Sequence, residues 1–249
     1  MSIGIYQSAA TLSALERWQD VVAQNITSSQ ITGYRKRTID FSSQTAGELQ
    51  PAGGTRTGED NHVPLIFSKA NTGINFTTGE TEPTRRELDV AIQGDGFFEL
   101  QMEDGSRVYT RNGEFRLTPD REIVSSSGYP LLSQSGSPIT LLPNGAPVSI
   151  SQDGSIFQGS TSLGKISVQH FTDPSQLSPL GTGYFRATPG AQPEPVDHPE
   201  LLQGYLEGSN VTPLREMVDM VLISRAYEAN QKIIGTFDQE MDKTLQALG

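Results

Sequence analysis

The sequence predicts an α+β chain. N- and C-terminal helices pair as a coiled-coil-like layer, and an all-β middle domain, a small sandwich or barrel, is inserted between them. Three observations predict it. Residues 3–29 and 213–248 each carry apolar side chains at three- and four-residue steps, the period of one helical face. The roughly 180 residues between them are rich in Gly, Pro, Ser and Thr and break into short alternating runs. The 249 residues are only 35% hydrophobic and 7% aromatic, too little for one large core that would also hide both helices. The helical stripes must therefore be buried on each other or on other copies, which is the behaviour of a polymer subunit.

The N-terminal helix, residues 1–34 with its exit, places Ile5, Ala9, Leu12, Leu15, Val22 and Ile26 on one face, with Trp18 filling the long gap. Asn25, Thr27, Ser28 and Ser29 weaken it, and Thr32-Gly33 ends it. At 1.5 Å per residue it is about 40 Å long. Residues 35–85 show no sustained period and are expected to be an extended connector. Pro51-Ala52-Gly53-Gly54 and Thr57-Gly58-Glu59-Asp60-Asn61 are loop chemistry, and 63–67 is a short strand.

The β-rich domain is expected over 86–205. Leu88, Val90 and Ile92 alternate with Asp89, Ala91 and Gln93 as a strand with one buried face. Gly94-Asp95-Gly96 turns into a strand carrying Phe97 and Phe98, whose side chains point to opposite faces. Further turn signals at Glu103-Asp104-Gly105, Arg111-Asn112-Gly113, Ser127-Gly128, Pro143-Asn144-Gly145 and Asp153-Gly154 give short strands, not βαβ units. Phe97, Phe98 and Phe115 are the expected core aromatics. The C-terminal segment, 206–249, starts its helix at Thr212 and Pro213, a cap followed by the position where a missing N–H costs nothing. Leu214, Val218, Leu222, Ala226, Ala229, Ile233, Phe237, Met241, Leu245 and Leu248 form its stripe, about 54 Å long, with Gly235 interrupting it. A helix of that length without an internal stop suggests coiled-coil packing.

Chemistry is argued against. There is no Cys, so thiolate metal sites, disulfides and a thiol nucleophile are excluded. His62, His170 and His198 are isolated, so no metal is expected, and no cofactor either. Gly94-Asp95-Gly96 lacks the third glycine of a dinucleotide loop and opens a strand. Asn25-Ile26-Thr27 and Asn210-Val211-Thr212 match a glycosylation sequon by chance, beside helices. The net charge of −11 is concentrated in the middle; residues 1–40 carry +1 and residues 210–249 carry −2. An acidic middle repels nucleic acid and anionic lipid. No run of 18 apolar residues and no signal-peptide core is visible, so neither direct membrane insertion nor a cleaved leader is expected.

Three separate stretches resemble the flagellar basal-body rod and hook family. At the N-terminus they are Ala9-Ala10-Thr11-Leu12-Ser13-Ala14, Val21-Val22-Ala23-Gln24-Asn25 and Thr32-Gly33-Tyr34-Arg35. In the middle they are Leu88 through Phe98, with Gly94, Gly96, Phe97 and Phe98, and Tyr109-Thr110-Arg111-Asn112-Gly113-Glu114-Phe115. Near the end they are Gln203 through Val211, with Asn210, and Arg225-Ala226-Tyr227-Glu228-Ala229-Asn230. Two departures are Gln24-Asn25-Ile26-Thr27-Ser28, where the family more usually has Asn-Asn-Leu-Ala-Asn, and Gly235.

The resemblance implies a non-enzymatic, self-assembling subunit of the axial rod, a helical tube that crosses the periplasm and transmits torque. It implies terminal helices in an inner coiled-coil layer around a central channel. The implied partners are further copies, other rod subunits and the flagellar type III export apparatus, which needs no leader cleavage. The assembly interface is then expected at Leu12, Leu15, Val22, Ile26, Leu214, Val218, Leu222, Ala226, Ile233, Phe237 and Met241. Chain length and the 206–211 stretch look more like the proximal-rod subunit than the distal one. The alternative from a different class is a secreted adhesin-like binding module with a helical stalk, whose helices would stay folded in dilute solution.

Overall fold

A computed structural model describes residues 3–49, 63–143, 145–181 and 183–248. The proposed loop residues 51–61 and the side chains of Met241, Leu245 and Leu248 lie outside the described residues. The chain divides into two compact units. A helical unit holds residues 1–26, 37–73 and 213–249; a β unit holds 27–36 and 74–212.

In the helical unit, helix α1 spans Ile3–Ser28 and helix α2 spans Pro213–Leu248. Strands Arg37–Leu49 and Val63–Ile74 pair as a two-stranded sheet. Trp18 of α1 packs edge-on against Phe41 at 5.5 Å between ring centroids.

The expected coiled-coil-like layer of paired helices is not formed. The apolar contact described between α1 and α2 is one short patch, where Leu15, Val22 and Ile223 are buried and Trp18, Ile26, Met220, Ala226 and Tyr227 flank them. The buried row of α2 explains why. It reads Glu216, Ile223, Asn230 at seven-residue intervals, so two of three positions are polar. A coiled coil needs apolar knobs at successive positions of that row. Here the polar positions are held by hydrogen bonds instead. Asn25 Nδ2 donates to Glu216 Oε2 at 2.9 Å, and Asn230 Nδ2 donates to the Ser8 carbonyl at 3.1 Å.

The β unit is all-β, but it is neither one sandwich nor one barrel. Its largest sheet has six strands in the order Leu177–Pro179, Tyr184–Ala187, Arg107–Thr110, Phe97–Gln101, Val168–His170, Glu194–Pro195. A three-stranded sheet runs Thr161–Lys165, Ser155–Gln158, Val148–Ile150. Two-stranded pairs join Val90–Gln93 to Glu200–Gln203, Thr81–Pro83 to Tyr205–Glu207, and Phe115–Leu117 to Ile123–Ser125. Strands this short, punctuated by glycine turns, cannot propagate a long ladder, so the β region breaks into small sheets.

The pleat sorts its side chains into two cores. Phe98 pairs across from Thr110 and Val168, and with Leu100, Val108, Phe115, Ile156 and Ile166 it enters the main cluster. Phe97 and Tyr109 point to the other face and pack with Phe171, Leu177 and Phe185. Phe76 covers that second cluster, 6.0 Å from Phe97 and 5.6 Å from Phe185. Glu99 is buried between the strands, paired with Arg107 at 2.8 Å and accepting from Ser167 Oγ at 2.6 Å.

Candidate assembly surface

Helix α2 is built inside out. At about 100° per residue, Leu214, Val218, Val221 and Leu222 lie across the helix from the row of Glu216 and Ile223. That far side is apolar and uncovered. Leu214 is 74% exposed, and Met217, Val218, Val221, Leu222 and Ile233 are each about half exposed. Single exposed leucines are ordinary, but five large apolar side chains between Leu214 and Leu222 are a patch. The internal contact of the helical unit is thus partly polar, while its most apolar face is exposed.

The predicted interface residues separate accordingly. Leu15 and Val22 are buried in the α1–α2 patch, with Leu12, Ile26 and Ala226 half-buried. Phe237 is half-buried, and Leu214, Val218, Leu222 and Ile233 face outward. Beyond Leu222 the outward side turns charged, with Arg225, Glu228 and Lys232 all exposed, so the apolar belt is concentrated in the first turns of α2.

The motif residues fall in four places. Gly94 and Gly96 take positive φ, +83° and +131°, in the turn that launches Phe97. Phe97 and Phe98 belong to the two β cores. On α2, Arg225 is exposed, Tyr227 flanks the helical patch and Asn230 bonds to Ser8.

Asn210 is in the β unit. Its Oδ1 accepts the Lys36 N–H at 2.6 Å, and its Nδ2 donates to the Asn75 and Thr77 carbonyls at 2.9 and 2.8 Å.

Sequence reasoning missed a group next to Asn210. Glu207 is buried and sits between two buried arginines, 2.5 Å from Arg35 Nη1 and 3.4 Å from Arg111 Nη1. Burial pulls the Arg111 guanidinium down to about 10, opposed by Glu207 and reinforced by Arg35. Arg111 also donates to the carbonyls of Ile92 at 3.2 Å and Gly94 at 2.5 Å, and lies 5.5 Å over the Phe97 ring. The usable signal was a carboxylate inside a short strand, Tyr205–Glu207, with two arginines in the motif stretches around Arg35 and Arg111.

Among the described residues no group of three His, Asp or Glu side chains is placed to hold a metal ion. No described helix is long and apolar enough to cross a membrane.

Comparison with known proteins agrees with this architecture. Residues 91–158 match the family described as the flagellar hook protein FlgE/F/G D1 domain, and residues 202–247 match the flagellar basal body rod FlgEFG protein C-terminal family. The chain is 32% identical to the flagellar basal-body rod protein FlgF of Caulobacter vibrioides, covering 100% of this chain and 99% of the relative. It is 31% identical to FlgG of Buchnera aphidicola subsp. Schizaphis graminum, covering 97% and 98%, and 32% identical to FlgG of Borreliella burgdorferi, covering 96% of each. With a helical unit that carries an exposed apolar face, an all-β unit, and full-length matches to rod proteins, the chain belongs to the flagellar basal-body rod protein family, whose members are structural and not enzymes.

Proposed function

We propose that this rod subunit assembles by burying the outward belt of α2, Leu214, Met217, Val218, Val221 and Leu222, against further copies of itself and neighbouring rod subunits. The observation that carries the proposal is the exposed apolar face on a helix whose inward row is polar. In this reading the assembled helical tube transmits torque across the periplasm. Its delivery through the flagellar type III export apparatus is inferred from the family alone. Nucleic acid is no partner for a chain of net charge −11.

The finer assignment is to the proximal, FlgF-type position. Coverage supports it. The FlgF relatives of Caulobacter vibrioides and Rhizobium meliloti align over 100% of this chain, whereas the FlgG relatives of Buchnera and Borreliella cover 97% and 96% of it.

The test is a charge placed on an exposed apolar side chain of α2, within the belt at Leu222 and beyond it at Ile233. Leu222→Asp and Ile233→Asp each put a carboxylate where an apolar seam is expected, and a buried unpaired carboxylate costs several kcal/mol. Both variants are expected to fold and be secreted, yet to give no rods and no swimming. Normal motility in both would remove α2 as the assembly surface.

A further inference from the structure

Three stretches of the β unit lead to its junctions with the helical unit. The chain passes between units after residues 26, 36, 73 and 212, and the stretches beside the last three crossings inside the β unit are 33–36, 75–80 and 207–210. All three are tied to one another by two side chains from the last of them.

Glu207 holds the first two. Its backbone carbonyl accepts the Gly33 N–H at 2.7 Å, its Oε1 accepts the Gly79 N–H at 2.8 Å, and its carboxylate neutralises the buried Arg35. Asn210 repeats the arrangement three residues later. Its amide oxygen takes the Lys36 N–H, and its amide nitrogen gives to the carbonyls of Asn75 and Thr77. Direct backbone bonds fill in between. Asn75 N–H donates to the Lys36 carbonyl and Gly208 N–H to the Glu80 carbonyl, both at 2.8 Å.

Close approach is built into the glycines. A Cβ on Gly33, which has φ +68°, would lie 2.4 Å from the Arg111 carbonyl carbon. One on Gly79 would lie 2.1 Å from the Gly208 carbonyl oxygen. No other residue fits either place.

Most loops next to a junction between units satisfy their backbone groups with water. These do not. The side-chain amide of Asn210 uses both its acceptor and its donor side, on two different stretches, and the Glu207 carboxylate is 2% exposed.

We propose that Glu207 and Asn210 are positioning residues of a clasp, lying wholly within the β unit, that holds the three exit stretches together as one rigid element in the unassembled subunit. The inference rests on the rod reading for its purpose, because a subunit that transmits load needs exits that are already fixed before it docks. The geometry itself does not depend on that reading. Compliant, independently moving exits would absorb a twist instead of passing it on.

The experiment is residue-resolved amide exchange on the full chain, kept dilute so that it is monomeric. In the wild type the amides of Gly33, Lys36, Asn75, Thr77, Gly79 and Gly208 are expected to be protected, Thr77 through its bond to Asn75 Oδ1 in the stretch that Asn210 holds. Asn210→Ala should speed exchange at Lys36, Asn75 and Thr77 by about tenfold or more, with Phe98, Leu100 and Ile156 unchanged.

Asn210→Asp separates a clasp from general loosening. It keeps an acceptor for Lys36 but aims a carboxylate at the Asn75 and Thr77 carbonyls. Lys36 should stay protected while Asn75 and Thr77 open. Free exchange of these amides in the wild type overturns the clasp. So does an equal acceleration of the core amides, or identical patterns in the two variants. Because the readout needs no polymer, it can fail while the rod reading stands, and loss of assembly in the α2 belt variants leaves it untouched.

Discussion

Leu222 and Ile223 are neighbours in sequence and opposites in the structure, and the difference can be measured. Ile223 is 1% exposed and packs with Leu15 and Val22, whereas Leu222 is 50% exposed. Ile223→Ala deletes three buried carbons from the only apolar contact described between the two helices. Core truncations of this kind cost about 2–5 kcal/mol. In dilute monomer the variant should therefore lose amide protection along α1 and α2.

Leu222→Ala removes a side chain whose free half touches nothing in the monomer. Its effect there should stay within about 0.5 kcal/mol. In the polymer the balance reverses. Covering a leucine completely is worth about 1.5–3 kcal/mol, so covering its exposed half is worth about 1 kcal/mol per copy, or roughly a fivefold change in the concentration needed to polymerise. Amide exchange of the monomer and a sedimentation assay of assembly, run on both variants, read the two quantities separately. If Leu222→Ala destabilises the monomer as much as Ile223→Ala, or leaves the assembly concentration unchanged, the inside-out account of α2 is wrong.

Two other outcomes follow from the β unit. Phe98 is fully buried and meets Phe115 edge-on at 5.2 Å, so Phe98→Ala should lose about 3–5 kcal/mol in urea unfolding, and a loss under about 1 kcal/mol would contradict the packing described. Burial, with Glu99 adding to it, pushes the Tyr109 phenol up to about 12, above the ordinary value near 10. The raised value means that its contribution to stability is complete below about pH 10 and is lost as pH rises toward 12, because the unfolded chain ionises first. An ultraviolet titration should show a late-ionising phenol that Tyr109→Phe removes; an unchanged high-pH limb in that variant would count against the buried ring.

What the sequence shows of this molecule is set by the range of the forces involved. Helix α1 at Ile3–Ser28 and helix α2 at Pro213–Leu248 are visible because three- and four-residue spacing is a local signal. The alternation that puts Phe97 and Phe98 on opposite faces is local too. The buried side of α2 is not local. Periodicity assigns burial to the most apolar stripe, yet Glu216 and Asn230 are buried because Asn25 and the Ser8 carbonyl, about 190 and 220 residues away, complete their hydrogen bonds. The same limit hides the sheet order. Phe98 pairs with Val168 across seventy residues, a match no window of sequence contains.

The clasp is hidden for a related reason. Glu207 and Asn210 have the look of turn residues until Arg35, Lys36, Asn75 and Gly79 are brought to them. The misread stripe also carries the functional argument. A monomeric protein gains by turning its apolar stripe inward. A helix that buries a glutamate and an asparagine, and leaves leucine and valine in water, gains apolar burial once another molecule covers them. On the assembly reading proposed above, the polar inward row and the apolar outward belt are one adaptation, in which the internal contact is kept weak enough in apolar area that the strong face remains free for the polymer.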